Sequence, residues 1–457
     1  MRYVVLCALA SVAAWGQPLR LEDVLNSVQR HYPPLQAAMQ EQAIADAERL
    51  QAEGRFDFVA RGRWDSDTLG YYENRRWDVG IEQPTTILGM SLLAGYRLGE
   101  GSYAPYDGKL DTRSGGEWRT GLRLPLLRDR AIDSRRADLA KTKAGQAVAR
   151  FSIETQRLGI TLAAARRYWD WVAAGRRLEL AQAVLRIARD RQAFLDGSVA
   201  GGLLPAIDAT DNKRAVLQRQ GQVIEAERLV QQTAIELSLF YRDERGSPLI
   251  PSPEQLPSGF PVPENLDGAS VEAEIRRAAS RRPDLPRLEA QRAQIEVDRQ
   301  LARNTRLPAV DVIAGFTAES GSGPVRRGPQ EFKAGINFEL PWQRRSADGR
   351  IRAAEARIEQ IRKREQFTAE VVTSEVRDAA SAVRTAFDRL STAREEVEIS
   401  RKLEDAERTR FELGEGTLFQ LNLRELATVE SVQREITASA DYQRAIAAYR
   451  TAAGDTP

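Results

Sequence analysis

Between Arg350 and Leu413 the chain contains neither glycine nor proline. At 1.5 Å per residue such a stretch makes roughly 95 Å of uninterrupted helix. Few globular domains can house a rod of that length. Along it Val372, Val376, Ala379, Val383, Ala386, Leu390, Ala393, Val397 and Leu403 recur at three- and four-residue steps. That is a narrow, coiled-coil-like seam with charge on both sides, and its many alanines let a second helix approach closely. The rod breaks at "ELGEGT" and returns from Leu418 to about Ala453, while a weaker pair runs from about Ser134 to Asp196 and from Ala206 to Tyr241.

The two helical pairs belong to a duplication. A shift of 250 residues lays residues 21–53 over 271–303, matching Glu22 with Glu272, Pro33 with Pro283, Leu35 with Leu285, Ala43 with Ala293, Arg49 with Arg299 and Ala52 with Ala302. Each copy reads as a short helix, a proline break, a longer helix, alternating strands and a helical hairpin. Between them, residues 246–270 hold Pro248, Pro251, Pro253, Pro257, Pro261 and Pro263, an extended connector that cannot be helix. The expected organisation is thus a first repeat over 17–245 (strands about 56–125, hairpin about 134–241), the linker 246–270, and a second repeat over 271–457 (strands about 309–341, hairpin about 350–453).

The strands alternate with period two. In "QEFKAGINFELPWQRR" the residues Phe332, Ala334, Ile336, Phe338 and Leu340 oppose Glu331, Lys333, Gly335, Asn337 and Glu339. Val310, Val312, Ala314 and Phe316 precede them on a similar strand. The first copy offers four such segments: Phe56, Phe58, Ala60 and Trp64; Trp77, Val79 and Ile81; Met90, Leu92, Ala94, Tyr96 and Leu98; and Trp118, Thr120, Leu122 and Leu124. Their opposite faces are densely charged. Apolar faces with aromatics near their ends, set against charged ones, suit barrel strands facing lipid and water, whereas a two-sided sheet on a soluble core would need fewer charges. Beyond residue 17 no run of about 18 apolar residues suggests a transmembrane helix.

The first sixteen residues place Arg2 before an apolar stretch from Tyr3 to Ala14 and a small-x-small end at Ala14-Trp15-Gly16. This is the layout of a cleaved secretory signal peptide over 1–16. The single cysteine, Cys7, falls inside it, so disulfides, thiol chemistry and cysteine-held metals are excluded from the remainder.

The chain offers little to catalysis. One histidine, His31, sits at a predicted helix end, where the dipole favours it. Glu and Asp are abundant but lie beside Arg on helix faces, as in residues 394–402, and no phosphate-cradling glycine loop precedes a helix. No enzyme activity, metal or other cofactor is expected. Lys plus Arg (67) nearly balance Asp plus Glu (65), which argues against a nucleic-acid partner.

The signal peptide, the duplicated helix–strand–strand–hairpin plan and the helix lengths together resemble the TolC-like outer-membrane efflux proteins. The last fifty residues carry the most specific match, in Arg410, Phe411, Gly414, Thr417, Leu421, Ala438, Asp441 and Tyr442; residues 18–39 resemble the family's N-terminal start. The resemblance implies an α plus transmembrane β-barrel fold. In it a homotrimer closes one shared barrel in outer-membrane lipid, above an α-helical tunnel in the periplasm. It implies a passive exit duct for tripartite efflux or type I secretion, supplied by an inner-membrane pump and a periplasmic adaptor (membrane fusion) protein. The family usually has two strands per repeat where the first copy here offers four segments, so either the barrel is wider than usual or the middle hairpin sits outside the barrel wall; the usual two per copy is the favoured expectation. The competing reading is a pore-less periplasmic coiled-coil adaptor or structural rod.

By the same resemblance the hairpin turns are where adaptors dock and the tunnel narrows, which singles out Gly202, Pro205, Arg410, Gly414 and Thr417. A shift of 212 aligns Asp208 and Asp211 with Gln420 and Leu423. The family often carries an acidic constriction in its second copy; here Gln420 and Leu423 occupy those positions. The expectation is therefore that Asp208 and Asp211, three apart on one helix face, supply the negative rings. An ordinary acidic helix start is the alternative.

Overall fold

The computed structural model describes residues 17–107, 110–202, 204–323 and 330–457, and the expected signal peptide lies outside them. The first repeat holds helices α1 (Leu21–His31) and α2 (Pro33–Glu53), strands β1 (Val59–Asp67), β2 (Asn74–Pro84), β3 (Ser91–Gly101) and β4 (Glu117–Pro125), and the helical pair α3 (Ser134–Ala200) and α4 (Ala206–Ser238). The second holds α5 (Gly268–Arg281), α6 (Asp284–Thr305), β5 (Ala309–Glu319), β6 (Gln330–Glu339), α7 (Arg345–Glu412) and α8 (Leu418–Ala452). At 67 and 68 residues, α3 and α7 are the two long rods. No described helix is long and apolar enough to cross a membrane.

The chain divides into two compact units. One comprises residues up to Met39 together with 153–283 and 369–457. Its main core gathers Val24, Val28 and Leu35 from α1 and α2, Ala164, Tyr168, Trp171 and Val172 from α3, and Ala234 and Leu237 from α4. A second cluster joins Val383, Ala386, Leu390 and Ala393 of α7 to Ala438 and Tyr442 of α8, realising the middle of the predicted seam, while Val372 and Val376 pack with Ala278 and Ala452 in a third. Leu403, the last residue assigned to that seam, is instead 45% exposed. The proline-rich linker is tied down by tyrosines: the Tyr442 hydroxyl donates to the Glu264 carbonyl at 2.7 Å and accepts from its N–H at 2.9 Å. Tyr168 likewise donates to the Leu19 carbonyl at 2.9 Å. These bonds satisfy main-chain groups that an extended segment would otherwise bury unpaired.

The other unit, residues 40–152 and 284–368, is built on a six-stranded antiparallel sheet in the order β1-β2-β3-β4-β5-β6. The expectation of two strands per repeat is corrected here for the first copy. β2 and β3 pair over eleven residues, from Asn74↔Gly101 to Pro84↔Ser91, and lie inside the sheet between β1 and β4. A tight turn joins them, in which the Thr85 N–H bonds the Met90 carbonyl at 2.9 Å and the Thr85 hydroxyl donates to the same oxygen at 2.8 Å. Gly89 takes φ +71° there, and a Cβ at that position would stand 2.3 Å from the Asp129 carbonyl. β4 and β5 pair directly, so the two repeats meet in the middle of one sheet.

Candidate functional site

Register decides what each face of the sheet carries. Through the pairs Trp64↔Trp77, Val79↔Tyr96, Tyr96↔Trp118, Thr120↔Phe316 and Phe316↔Phe332, one face is apolar across all six strands. Trp77 is 54%, Val79 50%, Trp118 61%, Phe332 71% and Ile336 71% exposed. Such a continuous uncovered apolar surface needs a non-aqueous neighbour. Trp64, Trp77, Tyr96 and Trp118 collect toward the end carrying the 68–73 and 102–116 connections, with Tyr96 and Trp118 5.0 Å apart between ring centroids. Phe58 and Phe338 stand toward the other end. Aromatics at both margins of an apolar band suit two membrane–water interfaces.

The opposite face is ionic and laddered across strands. Arg76 meets Asp65 at 2.7 Å, Arg61 meets Glu82 at 2.9 Å, Arg97 meets Glu117 at 2.5 Å, Arg123 meets Asp311 at 2.5 Å, and Arg119 meets Asp78. Pairing of this density lets charge sit on a sheet with little net field. Between the charges, at mid-strand, runs a belt of glycines on the same face: Gly80 opposite Gly95, then Gly121 opposite Gly315, then Gly335. Their missing side chains let the sheet curl toward the ionic face, where a Cβ on Gly95 would lie 2.9 Å from the Val79 carbonyl and one on Gly121 3.1 Å from that of Ala314. All six strands line the resulting trough of about 880 Å³.

In the helical unit the two hairpin turns hold the residues singled out from sequence. Gly202 has φ +69° just past α3, and Pro205 caps α4 in an extended conformation. Gly414 has φ +78°, and the Arg410 carbonyl accepts from the Glu415 and Gly416 N–H groups at 2.9 and 3.1 Å, closing α7. Thr417 caps α8: its Oγ1 accepts from the Gln420 N–H at 3.3 Å, while the Gln420 side chain accepts from the Thr417 N–H at 3.3 Å. Gln420 is thereby engaged in a capping box, and Leu423 is 54% exposed one turn on. Asp208 lies in the first turn of α4, partly exposed and without an ion-pair partner among the described residues. Asp211 pairs with Arg214 at 3.2 Å in the same helix.

What sequence reasoning missed lies deeper. Glu425 of α8 is buried between Arg191 of α3 and Arg219 of α4, accepting from Arg219 at 3.0 Å and from both terminal nitrogens of Arg191. Arg191 also donates to Asn422 at 2.9 Å. Burial pushes the Glu425 carboxyl up, but the two guanidiniums together more than offset it and hold it below the usual carboxylate range. The signal was readable: Leu418, Leu421, Glu425, Thr428 and Ser431 follow one seam spacing, and a carboxylate on that line requires cationic partners.

Residues 275–455 match the family described as outer membrane efflux protein. No curated protein sequence matches. Among solved structures, the fold is shared with the Neisseria gonorrhoeae MtrE outer-membrane channel in its open state (TM-score 0.67, 14% identity, 95% of this chain and 89% of that one). It is shared also with the Campylobacter jejuni CmeC channel (TM-score 0.64, 16% identity, 95% and 85%) and the Vibrio cholerae outer membrane protein VceC (0.63, 15%, 95% and 96%).

Proposed function

We propose that this chain is a member of the TolC-like outer-membrane efflux proteins, a reading supported by the match of residues 275–455 and by the shared fold, and that it is the passive exit duct of a tripartite efflux or type I secretion system. The observation that carries the reading is the two-faced sheet, apolar on one side and ionic on the other, whose edge strands β1 and β6 have no further strand beside them among the described residues. A sheet edge cannot remain unpaired in hydrocarbon, and an ionic face cannot be turned to lipid. Copies of the chain closing one barrel meet both requirements. A pore-less adaptor or rod would have no use for such a surface.

In this reading the chain is a homotrimer in outer-membrane lipid with its helical hairpins in the periplasm. An inner-membrane pump supplies the energy, and a periplasmic adaptor docks at the turns around Gly202, Pro205, Arg410, Gly414 and Thr417. The chain itself catalyses nothing. Asp208 and Asp211 form two acidic rings in the tunnel. Asp208 carries the larger part, because Arg214 already pairs with Asp211.

Purified protein in a planar lipid bilayer tests the reading. A heat-modifiable trimer from the outer-membrane fraction that conducts ions supports it, and a detergent-free monomer that never conducts overturns it. Asp208→Ala then reduces cation selectivity and blockade by multivalent cations more than Asp211→Ala. Unchanged selectivity in both removes the acidic rings.

A further inference from the structure

Resting on the trimeric duct just proposed, we infer that its barrel has eighteen strands, six from each copy, and that β1 of one copy joins β6 of the next in one defined register. Both edges are bare: the Arg61, Arg63 and Glu339 side chains are each 70% exposed and that of Lys333 is 64% exposed. With six strands in antiparallel order, β1 and β6 run in opposite directions, so consecutive copies continue the same antiparallel meander.

The register follows from closure. Val59, Glu82, Leu93, Gly121, Gly315 and Lys333 are successive partners across the sheet. Val59 begins β1, whereas Lys333 stands six residues before Glu339, the end of β6 at the same rim. Rotational symmetry returns the next β1 to the height of the first, so this slip sets the tilt of the strands. With a rise of about 3.4 Å and a spacing of about 4.8 Å, slips of four, six, eight and ten residues per copy give tilts of roughly 25°, 35°, 43° and 50°. Transmembrane barrels tilt by about 35–45°, which leaves six or eight. Odd slips would turn apolar residues into the lumen.

Charge separates the two. A slip of six opposes Asp65 to Lys333 but also Asp67 to Glu331. A slip of eight opposes Arg61 to Glu339 and Asp67 to Lys333, with Arg63 facing Asn337 and no like-charged pair. Directly opposed unlike charges stabilise neighbouring strands and like ones destabilise them. The joint is therefore Arg61–Glu339, Arg63–Asn337 and Asp67–Lys333, repeated three times. At eighteen strands the backbone diameter is about 38 Å, against about 25 Å for a trimer with two strands per repeat at similar tilt.

Cysteine cross-linking tests this, the one native cysteine being Cys7. The pair Arg63→Cys with Asn337→Cys, mildly oxidised in outer membranes, should give a reducible covalent trimer, because opposed positions fall within disulfide reach. The pair Arg63→Cys with Gly335→Cys should cross-link at least about tenfold more slowly. In a separate arm Val79→Cys, on the apolar face of β2, should resist a membrane-impermeant maleimide, while Gly80→Cys on the ionic face reacts. Preferential linkage through position 335, or no linkage in an intact trimer, overturns the register. Rapid labelling at both 79 and 80 puts β2 and β3 outside the wall and overturns the strand count. Either result leaves the duct standing, whereas absence of any trimer removes the duct itself.

Discussion

Arg191 of α3 and Glu425 of α8 stand 234 positions apart and form a buried two-point ion pair that links the first helical hairpin to the second. Arg219 closes the triad from α4 at 3.0 Å. Removing one member leaves its partners desolvated and unpaired, whereas replacing all three removes the demand. Glu425→Ala is expected to destabilise the helical unit by about 3–5 kcal/mol, and the triple change Arg191→Met, Arg219→Met, Glu425→Leu by far less. Thermal unfolding followed by far-ultraviolet circular dichroism checks the contrast. Equal losses in both variants would mean that packing, not charge, holds the hairpins together.

The same carboxylate gives a pH dependence of known sign. Its folded-state value is depressed below the ordinary 4.5, so the folded form binds its proton less readily than the unfolded form. The contribution is complete above about 4.5 and is lost as pH falls through the depressed value. Melting temperatures recorded from pH 6 to pH 3 should fall at the acid end. Glu425→Gln, already weakened at neutral pH, should show a shallower fall there.

The two faces of the sheet should respond oppositely to charge. Val79→Arg puts a guanidinium on the apolar face and is expected to cost about 2–4 kcal/mol at mid-membrane, lowering the yield of trimer in the outer-membrane fraction. Ile313→Glu changes the ionic face away from the joint between copies, opposite Arg123, and should leave trimer yield near normal while shifting ion selectivity toward cations. Selectivity is read from reversal potentials under a salt gradient.

Glycine 95 and glycine 335 belong to one belt but differ in what surrounds them. A side chain at Gly95 meets the Val79 carbonyl at 2.9 Å, while nothing lies within 4 Å of a Cβ at Gly335. Gly95→Val is expected to cost about 1–3 kcal/mol through overpacking. It should lower the temperature at which the trimer dissociates on a gel, and Gly335→Val should leave it nearly unchanged.

The duplication, the rods and the alternating strands were legible because each is a periodicity, and periodicity survives without knowledge of neighbours. Even Val79 and Ile81, inside β2, showed their apolar face in the sequence. What stayed hidden was membership: whether β2 and β3 join the sheet depends on main-chain pairing with β1 and β4, which no spacing within β2 encodes. Glu425 was readable as a carboxylate on a buried seam, but that Arg191 and Arg219 complete its triad was hidden for a related reason, since the three come from helices whose juxtaposition is a property of packing. The residues at the turns were found by resemblance, and the structure gives them local geometry: positive φ at Gly202 and Gly414, and a cap at Thr417.

That local geometry allows folding to be separated from docking at the second turn. Gly414 has φ +78° with open space around it, so Gly414→Ala meets only backbone strain, of about 1 kcal/mol. Thr417→Ala removes an N-cap at a similar cost of about 1 kcal/mol. Both changes lie in the turn between α7 and α8, far along the chain from the barrel strands, so trimer yield and stability should remain close to those of the unmodified protein. If the turn is the adaptor's docking surface, each variant should nevertheless lose cross-linking to a periplasmic adaptor and the export that depends on it. Normal export and cross-linking in both, alongside normal trimer yield, would move the docking surface away from this turn.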